Sequence, residues 1–235
     1  LDEVDRMFDM GFYKDVEMIL KQCPEKRQTM LFSATISPDI DYLARKYTKN
    51  AIKVSVNSYV DHSKLKQIYY DVEPHMKFSL LAHLLNKEKE NLVMIFCSTR
   101  RNVDIVANNL KKAGINSNAI HGGLSQNKRS RTLDEFHNKE VNVLVCTDVA
   151  ARGLDIKGVK SIYNYDIPSE AKDYIHRIGR TARAGNEGKA INILSNRDYE
   201  NFGNITNDKC LNIIREELPV FETIRLEIEP NKNRF

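Results

Sequence analysis

The chain has 235 residues, of which 41% are hydrophobic and 29% charged, and its 36 Lys and Arg exceed its 32 Asp and Glu by four. This length suits one large or two smaller domains, and the composition excludes a disordered or fibrous chain. The longest apolar run, Leu92–Cys97, is far shorter than the roughly 20 residues that span a bilayer, so we predict no membrane segment.

The start of the chain and its cysteines predict a location. The acidic opening Leu1-Asp2-Glu3 carries neither Met nor a secretory signal, so we expect an amino-terminal portion of the protein to precede it. Four cysteines stand far apart, at Cys23, Cys97, Cys146 and Cys210. Because no pair has CxxC spacing, we expect reduced thiols in a cytoplasmic protein rather than disulfides or zinc ligands.

Residues 1–56 show two helical and two strand-like patterns. The helices are predicted over Tyr13–Lys21 and Asp39–Tyr47, and the strands over Thr29–Phe32 and Ile52–Val56. Because so few elements cannot cover a sheet, we expect residues 1–56 to be a remnant of an α/β domain. The missing portion of that domain is the expected partner of this remnant. The polar residues 57–65 are the predicted linker.

Residues 66–225 alternate strand and helix patterns and form the predicted second domain, with 226–235 as a tail. Strands are predicted over Gln67–Tyr70, Leu92–Cys97, Asn118–Ile120, Val141–Cys146, Lys160–Tyr165 and Lys189–Leu194. Helices are predicted over Lys77–Leu85, Asn102–Lys112, Gln126–His137, Ser169–Ile178 and Asp208–Glu217, and a short final strand over Thr223–Ile228. Unbroken apolar strands indicate a parallel sheet covered by helices on both faces, whose ligands bind beyond the carboxyl ends of the strands.

Two short segments near the start could carry chemistry. Adjacent carboxylates in Asp2-Glu3-Val4-Asp5 suit Mg²⁺ held through water, although an acidic cluster at a helix start is the simpler interpretation. The hydroxyls of Ser33-Ala34-Thr35 could bond an acidic loop or belong to an ordinary turn.

The segment Tyr174–Gly185 places a histidine and three arginines within eight residues. Arg180 and Arg183 are three residues apart, so on a helical turn they can point the same way. Such a guanidinium pair could neutralise charge on a transferring phosphoryl group, or simply bind phosphate or water.

Six motifs occur in order along the chain. They are Asp2–Asp5, Ser33–Thr35, Ile95–Arg100, Gln126–Arg129, Thr147–Asp155 and His176–Arg183. Together they resemble motifs II, III, IV, IVa, V and VI of the DEAD-box ATP-dependent RNA helicases of superfamily 2. The resemblance covers nearly the whole chain and implies a complete second RecA-like domain preceded by the carboxyl-terminal part of the first. It also implies two domains that close on ATP and RNA.

The resemblance assigns roles to five residues of the first part. Asp2 and Glu3 would organise Mg²⁺, through water, and the water that attacks ATP. Asp5 would contact Ser33 and Thr35 and so couple the nucleotide state to domain closure.

In the second domain the resemblance assigns the nucleotide contacts. Arg180 and Arg183 would act on the γ-phosphate, and His176 would link them to the other domain. Asp155 would hold the ribose hydroxyls, with Gly153 close to the nucleotide.

The resemblance also assigns contacts to single-stranded or duplex RNA. They would come from Arg100, Gly123, Arg129, Thr147 and Arg152. Contacts to the RNA backbone carry no base identity, so we expect a sequence-independent, salt-sensitive grip by a monomer. Lys128, Arg129 and Arg131 could alternatively form a solvated helix face.

One departure from the family is large: the 235 residues contain no Gly-x-x-x-x-Gly-Lys-Ser/Thr phosphate loop. We therefore expect this chain alone to be inactive. The alternative to a helicase portion is a stand-alone module that binds RNA or a partner without turnover. A DNA helicase is disfavoured by the Ser-Ala-Thr and His-Arg-Ile-Gly-Arg sequences, and the RNA substrate and pathway stay open.

Overall fold

The computed structural model describes residues 1–33, 35–55, 64–88, 91–152, 154, 156–182, 187–208 and 211–228. The chain divides into two compact units, Leu1–Ser58 and Tyr59–Phe235. Of the predicted linker, residues 57–63 lie outside the described residues, and the first strand of the second unit begins at Leu65.

The second unit is built on a parallel sheet. Its strands are β1 (Leu65–Asp71), β2 (Leu92–Phe96), β3 (Ser117–Ile120), β4 (Val143–Cys146), β5 (Val159–Asn164), β6 (Gly188–Leu194) and β7 (Ile214–Arg215). They lie in the order β3-β4-β2-β5-β6-β1-β7, and every strand pair is parallel. The predicted parallel α/β sheet is therefore confirmed.

Helices cover both faces of this sheet. They are α4 (Lys77–Asn86), α5 (Arg100–Lys112), α6 (Gln126–His137), α7 (Asp148–Ala151), α8 (Ala171–Ile178) and α9 (Tyr199–Thr206). Strand β2 shows the division: Val93 and Ile95 pack with α4 and α5, whereas Met94 and Phe96 pack on the opposite face with α6 and α7. Helices α8 and α9 join that second face through Tyr174, Ile178 and Ile205. A strand buried on both sides explains why its sequence does not alternate.

The first unit contains α1 (Val4–Asp9), α2 (Tyr13–Gln22) and α3 (Pro38–Tyr47) around a small apolar cluster. Helix α3 begins where the Ser37 hydroxyl accepts the N–H of Ile40 and Pro38 takes the first helical position. Val4, where the DEAD-box motif usually has Ala, is fully buried in the cluster, so its larger side chain serves the core.

Four predicted elements are wrong in the described residues. Residues 29–32 form no strand, although Leu1 donates to the Met30 carbonyl and accepts from the Phe32 N–H, which is one rung of a parallel ladder. Residues 52–55 are also not a strand, and Val56 lies outside the described residues. The predicted helix over 208–217 contains strand β7 instead, and residues 223–228 are extended but form no strand.

The predicted tail begins with residues that contact the second unit. Leu226 packs on the main core and the Glu227 backbone bonds the Asn109 side chain, although the sequence assigns both residues to a tail.

The cysteines are reduced where the structure describes them. Cys23, Cys97 and Cys146 are free thiols, and burial raises the pKa of Cys97 and Cys146. Cys210 lies outside the described residues. In the described part of the chain, every helix is too short or too polar to cross a membrane.

Candidate functional site

Asp5 joins the acidic segment of the first unit to the Ser/Thr segment. Its carboxylate is 5% exposed and accepts the Thr35 N–H at 3.2 Å and the Thr35 hydroxyl at 3.1 Å. The Asp5 N–H donates to the Ser33 hydroxyl at 3.3 Å, and that hydroxyl donates to the Thr35 carbonyl at 2.6 Å. The expected contacts of Asp5 with Ser33 and Thr35 are thus present, and Ala34 between them lies outside the described residues.

Asp2 and Glu3 lie at the surface beside this buried carboxylate. Asp2 is exposed and its carboxylate accepts the Glu3 N–H at 3.0 Å. Glu3 adopts a left-handed conformation with φ of 49°, a strained geometry for a non-glycine residue that is often found at functional sites. Carboxylate oxygens suit Mg²⁺, but the described residues form no cluster of three metal-ligating side chains. The pair fits Mg²⁺ only with water or phosphate completing its shell.

The predicted RNA contacts of the second unit follow three neighbouring strands. Arg100 begins α5 after β2, Gly123 follows β3, and Thr147 lies between β4 and α7. Phe96 and Ile120, the last residues of β2 and β3, both pair with Cys146, the last residue of β4. The three contacts therefore share the carboxyl edge of the sheet. Arg100 also packs on the glycines, since a Cβ at Gly122 would lie 3.4 Å from its Nη2.

Arg129 and Arg152 each have a buried guanidinium nitrogen without a hydrogen-bond partner in the described part of the chain. In Arg129, on α6, this atom is Nε, while Nη1 donates to Gln126 at 3.5 Å. In Arg152, which follows α7, it is Nη1, while Nη2 bonds Asp173 at 2.7 Å. A buried donor without an acceptor is costly, so both arginines favour an incoming acceptor such as a phosphate oxygen.

His121 holds the glycine loop and was not singled out from the sequence. It is 5% exposed, and its Nδ1 accepts the Gly123 N–H at 3.1 Å, which leaves the ring proton on Nε2 to donate to Asp104 at 3.0 Å. A Cβ at position 123 would lie 3.1 Å from Nδ1, so glycine permits this close approach. The spacing of 17 residues between His121 and Asp104 gives no local signal.

Arg180, one of the predicted nucleotide contacts, lies near the amino end of β5. Helix α8 carries the half-buried His176 and runs back from the carboxyl end of β5. Just beyond the end of α8, the Thr181 hydroxyl donates to the carbonyl of Val159, the first residue of β5, at 2.7 Å. Arg180 donates through Nη1 to the Leu154 carbonyl at 2.9 Å. The residues predicted to contact RNA thus lie beyond the carboxyl ends of the strands, whereas Arg180 does not. The other three nucleotide residues, Gly153, Asp155 and Arg183, lie outside the described residues.

Arg177 connects the two ends, and the sequence assigned it no separate role. It is 2% exposed, and its Nε and Nη2 bond the two carboxylate oxygens of Asp148 at 2.6 and 2.8 Å. Its guanidinium also lies 5.1 Å from the Phe96 ring centroid. A bidentate, buried arginine–carboxylate pair fixes geometry strongly. The pair therefore ties α7, between Thr147 and Arg152, to α8, which leads to Arg180.

Two family models match the chain. The "DEAD/DEAH box helicase" model matches residues 1–43, and the "Helicase conserved C-terminal domain" model matches residues 76–185.

Several known proteins are similar to this chain. "Probable ATP-dependent RNA helicase DDX47" of Mus musculus is 43% identical over 224 residues, which are 95% of this chain and 48% of that protein, so the chain spans about half the length of this curated relative. The Escherichia coli DEAD-box protein SrmB, solved bound to the regulator of ribonuclease activity A, is 38% identical with a TM-score of 0.63, over 66% of this chain and 91% of that chain. Dbp5 of S. cerevisiae, solved bound to RNA and ADP BeF3, is 30% identical with a TM-score of 0.79, over 92% of this chain and 58% of that one.

Proposed function

Because this chain belongs to the DEAD-box helicase family, we propose that it is part of an ATP-dependent RNA helicase that couples ATP hydrolysis to RNA binding and local duplex unwinding. It would contribute the RecA-like second domain and motifs II and III of the first. The names of its relatives and the RNA-bound structure of Dbp5 support this proposal.

The observation that carries the proposal is the pair of unpartnered guanidinium nitrogens on Arg129 and Arg152. They occur beside a row of predicted RNA contacts at the carboxyl edge of β3, β4 and β2. Arginine donors and backbone N–H groups recognise phosphates regardless of base, so the grip on RNA would be independent of sequence. A monomer suffices, because these residues come from one domain.

The test measures the affinity of the chain for a fluorescein-labelled oligouridine over a range of salt concentrations. Arg129→Ala is expected to weaken binding and to reduce the slope of log affinity against log salt by about 0.7, the value for one phosphate contact on a single strand. Arg131→Ala is the matched control, because it removes the same charge from the same helix. The Arg131 Nε already bonds Glu135 at 2.8 Å.

The expected slope is unchanged in the control. Equal losses in the two variants would mean that α6 attracts RNA only through its net charge, and would remove Arg129 from the site.

The nucleotide contacts form the second half of the proposal. Arg180, Arg183 and His176 would face the γ-phosphate of ATP, with Gly153 and Asp155 at the nucleotide. Asp2 and Glu3 would hold Mg²⁺ through water, and the bound ion would neutralise phosphate charge. The bond from Arg180 to the Leu154 carbonyl supports this proposal, because it joins Arg180 to the segment that the resemblance assigns to the nucleotide.

We further propose that the 235 residues alone do not hydrolyse ATP, since they contain no phosphate loop. The first unit would combine with further parts of its own RecA-like domain. Exposed apolar side chains on this unit support that view, among them Met18 at 55% and Ile19 at 59% exposure on α2.

We also propose a cytoplasmic location, which the free thiols of the described cysteines support.

A binding module without turnover is the second candidate. The structure of SrmB bound to the regulator of ribonuclease activity A supports it, because that solved chain matches 66% of this one and was solved in a complex. A module that only binds has no use for arginines placed for phosphoryl transfer, so we favour the helicase.

A further inference from the structure

Five buried polar side chains form a continuous chain across the sheet of the second unit. They are Arg177 and Tyr174 on α8, Asn164 on β5, Asn192 on β6 and Gln67 on β1, and each is at most 3% exposed. Polar groups this deeply buried are tolerated only when their hydrogen bonds are made. The partners of each group therefore show what the chain holds in place.

All the hydrogen bonds along this chain run in one direction. Arg177 Nη1 donates to Asn164 Oδ1 at 3.0 Å, and Asn164 Nδ2 donates to Asn192 Oδ1 at 2.8 Å. Asn192 Nδ2 donates to the Tyr174 hydroxyl at 3.3 Å and to the Ile68 carbonyl at 2.9 Å. The Tyr174 hydroxyl donates to Gln67 Oε1 at 3.0 Å. Because each donor polarises the next, each amide has a fixed orientation.

Asn164 is the link that reaches the functional residues. A guanidinium carries only N–H donors, so Asn164 must turn its Oδ1 toward Arg177. The Nδ2 of Asn164 then faces the other way and requires an acceptor there. Asn192 Oδ1 supplies that acceptor, and the Ile68 backbone anchors Asn192 in turn. Beyond Asn164, Arg177 holds both carboxylate oxygens of Asp148.

We propose that Asn192 is a positioning residue. Through Asn164 it holds the Arg177 guanidinium against Asp148, and it thereby fixes α7, which lies between the predicted RNA contacts Thr147 and Arg152, relative to α8. The consequence for RNA rests on the proposed function, whereas the placement of the guanidinium does not.

The test compares Asn192→Leu with Tyr174→Phe in the full chain. Leu has nearly the shape of Asn but leaves Asn164 Nδ2 without its acceptor. Phe removes the bond to Gln67 and one acceptor of Asn192 Nδ2, which keeps its bond to the Ile68 carbonyl. The Asn164–Asn192 and Arg177–Asn164 bonds stay intact. Each variant is examined by the NMR signal of the Arg177 Nε–H, identified by its loss in Arg177→Lys, and by affinity for oligouridine.

Asn192→Leu is expected to speed solvent exchange of the Arg177 Nε–H and to weaken RNA binding, each by about fivefold. This is the effect of losing one hydrogen bond, the Asn164–Asn192 bond, which among the bonds of Asn192 is the one that leads to Arg177. Tyr174→Phe is expected to change both by less than about twofold. Should the Leu variant not fold, Asn192→Ala repeats the test, since it removes the acceptor of Asn164 Nδ2 without adding bulk.

The proposal would be overturned by an Arg177 Nε–H that exchanges no faster in Asn192→Leu than in Tyr174→Phe. Asn192 would then contribute only to packing in the core. A chain that binds no RNA, yet shows faster Arg177 exchange in Asn192→Leu, would support the positioning and contradict the proposed RNA role.

Discussion

At the scale of single residues, Asp2 and Asp5 illustrate how burial separates two identical side chains. Asp2 is exposed and its carboxylate accepts the N–H of the neighbouring Glu3, so it contributes little to the fold. Asp5 is buried and binds Thr35 and the Arg6 N–H, so it holds two segments of the first unit together. The same acidic motif thus contains an exposed carboxylate and a buried one that holds the unit together.

Asp5→Ala is expected to destabilise the first unit by about 1–3 kcal/mol, because the N–H and hydroxyl of Thr35 lose their acceptor. Amide hydrogen exchange across α1, α2 and α3 measures this loss. Asp2→Ala is the control and should leave the exchange rates unchanged. Equal protection in both variants would show that the Thr35 contacts do not stabilise the unit.

The sequence predicted these contacts only in part. The pairing of Asp5 with Ser33 and Thr35 followed from the family resemblance, not from spacing. His121 with Asp104, and Arg177 with Asp148, join residues 17 and 29 positions apart. Such pairs become visible only when strands and helices are placed together, so no local pattern could indicate them.

At the scale of elements, several helices were predicted closely, although α1, α7 and α9 were not predicted. Helix α6 has the predicted bounds and α4 extends one residue further, because apolar periodicity and caps such as Ser125 are local signals. Strands depend on neighbours. The segment predicted as a last helix pairs with the edge of β1, where the Glu216 N–H donates to the Tyr69 carbonyl, so an open sheet edge outweighed helix propensity.

The contact between α2 and α3 is expected to depend on pH. Lys46 bonds Glu17, and the Tyr47 hydroxyl donates to Glu17 at 3.2 Å, so these hydrogen bonds, that from Lys46 first, lower the pKa of Glu17. A lowered pKa stabilises the fold above the unfolded value of about 4.3, and this contribution disappears as the pH falls through the folded pKa.

Glu17→Gln should therefore expose the α2 and α3 amides to faster exchange at about pH 6 but not at about pH 3. Glu25→Gln is the control, because Glu25 is exposed and its carboxylate has no hydrogen-bond or ion-pair partner in the described residues. A difference between Glu17→Gln and the parent chain that persists at the lower pH would contradict the proposed ion pair.

At the scale of the whole molecule, the second unit separates two predicted functions along one strand. The residues predicted to contact RNA lie at the carboxyl edge of the sheet, while Arg180 lies near the amino end of β5, and the Asp148–Arg177 pair spans the space between them. The general rule for parallel sheets agrees with the first location and gives no indication of the second. That second location depends on the path of α8 back along the strand, which is a property of the folded chain.

The whole chain is expected to release no phosphate from ATP above the background of the double variant R180A/R183A, with or without single-stranded RNA. Arginines stabilise the charge of phosphoryl transfer only on a nucleotide that is already bound, and binding of the phosphates requires the backbone N–H cradle and lysine of a phosphate loop. The 235 residues contain no such sequence. The measurement is phosphate release with excess Mg²⁺ and ATP.

This expectation would be contradicted if RNA stimulated phosphate release by the parent chain but not by the double variant. Arg180 and Arg183 would then act without a phosphate loop. Background release by both, together with RNA binding that responds to Arg129→Ala but not to Arg131→Ala, is the expected result. It would show that this part of the molecule grips RNA by itself and that turnover requires a nucleotide held by other residues. RNA affinity and hydrolysis would then be separable properties of one helicase, linked in this domain through Asp148 and Arg177.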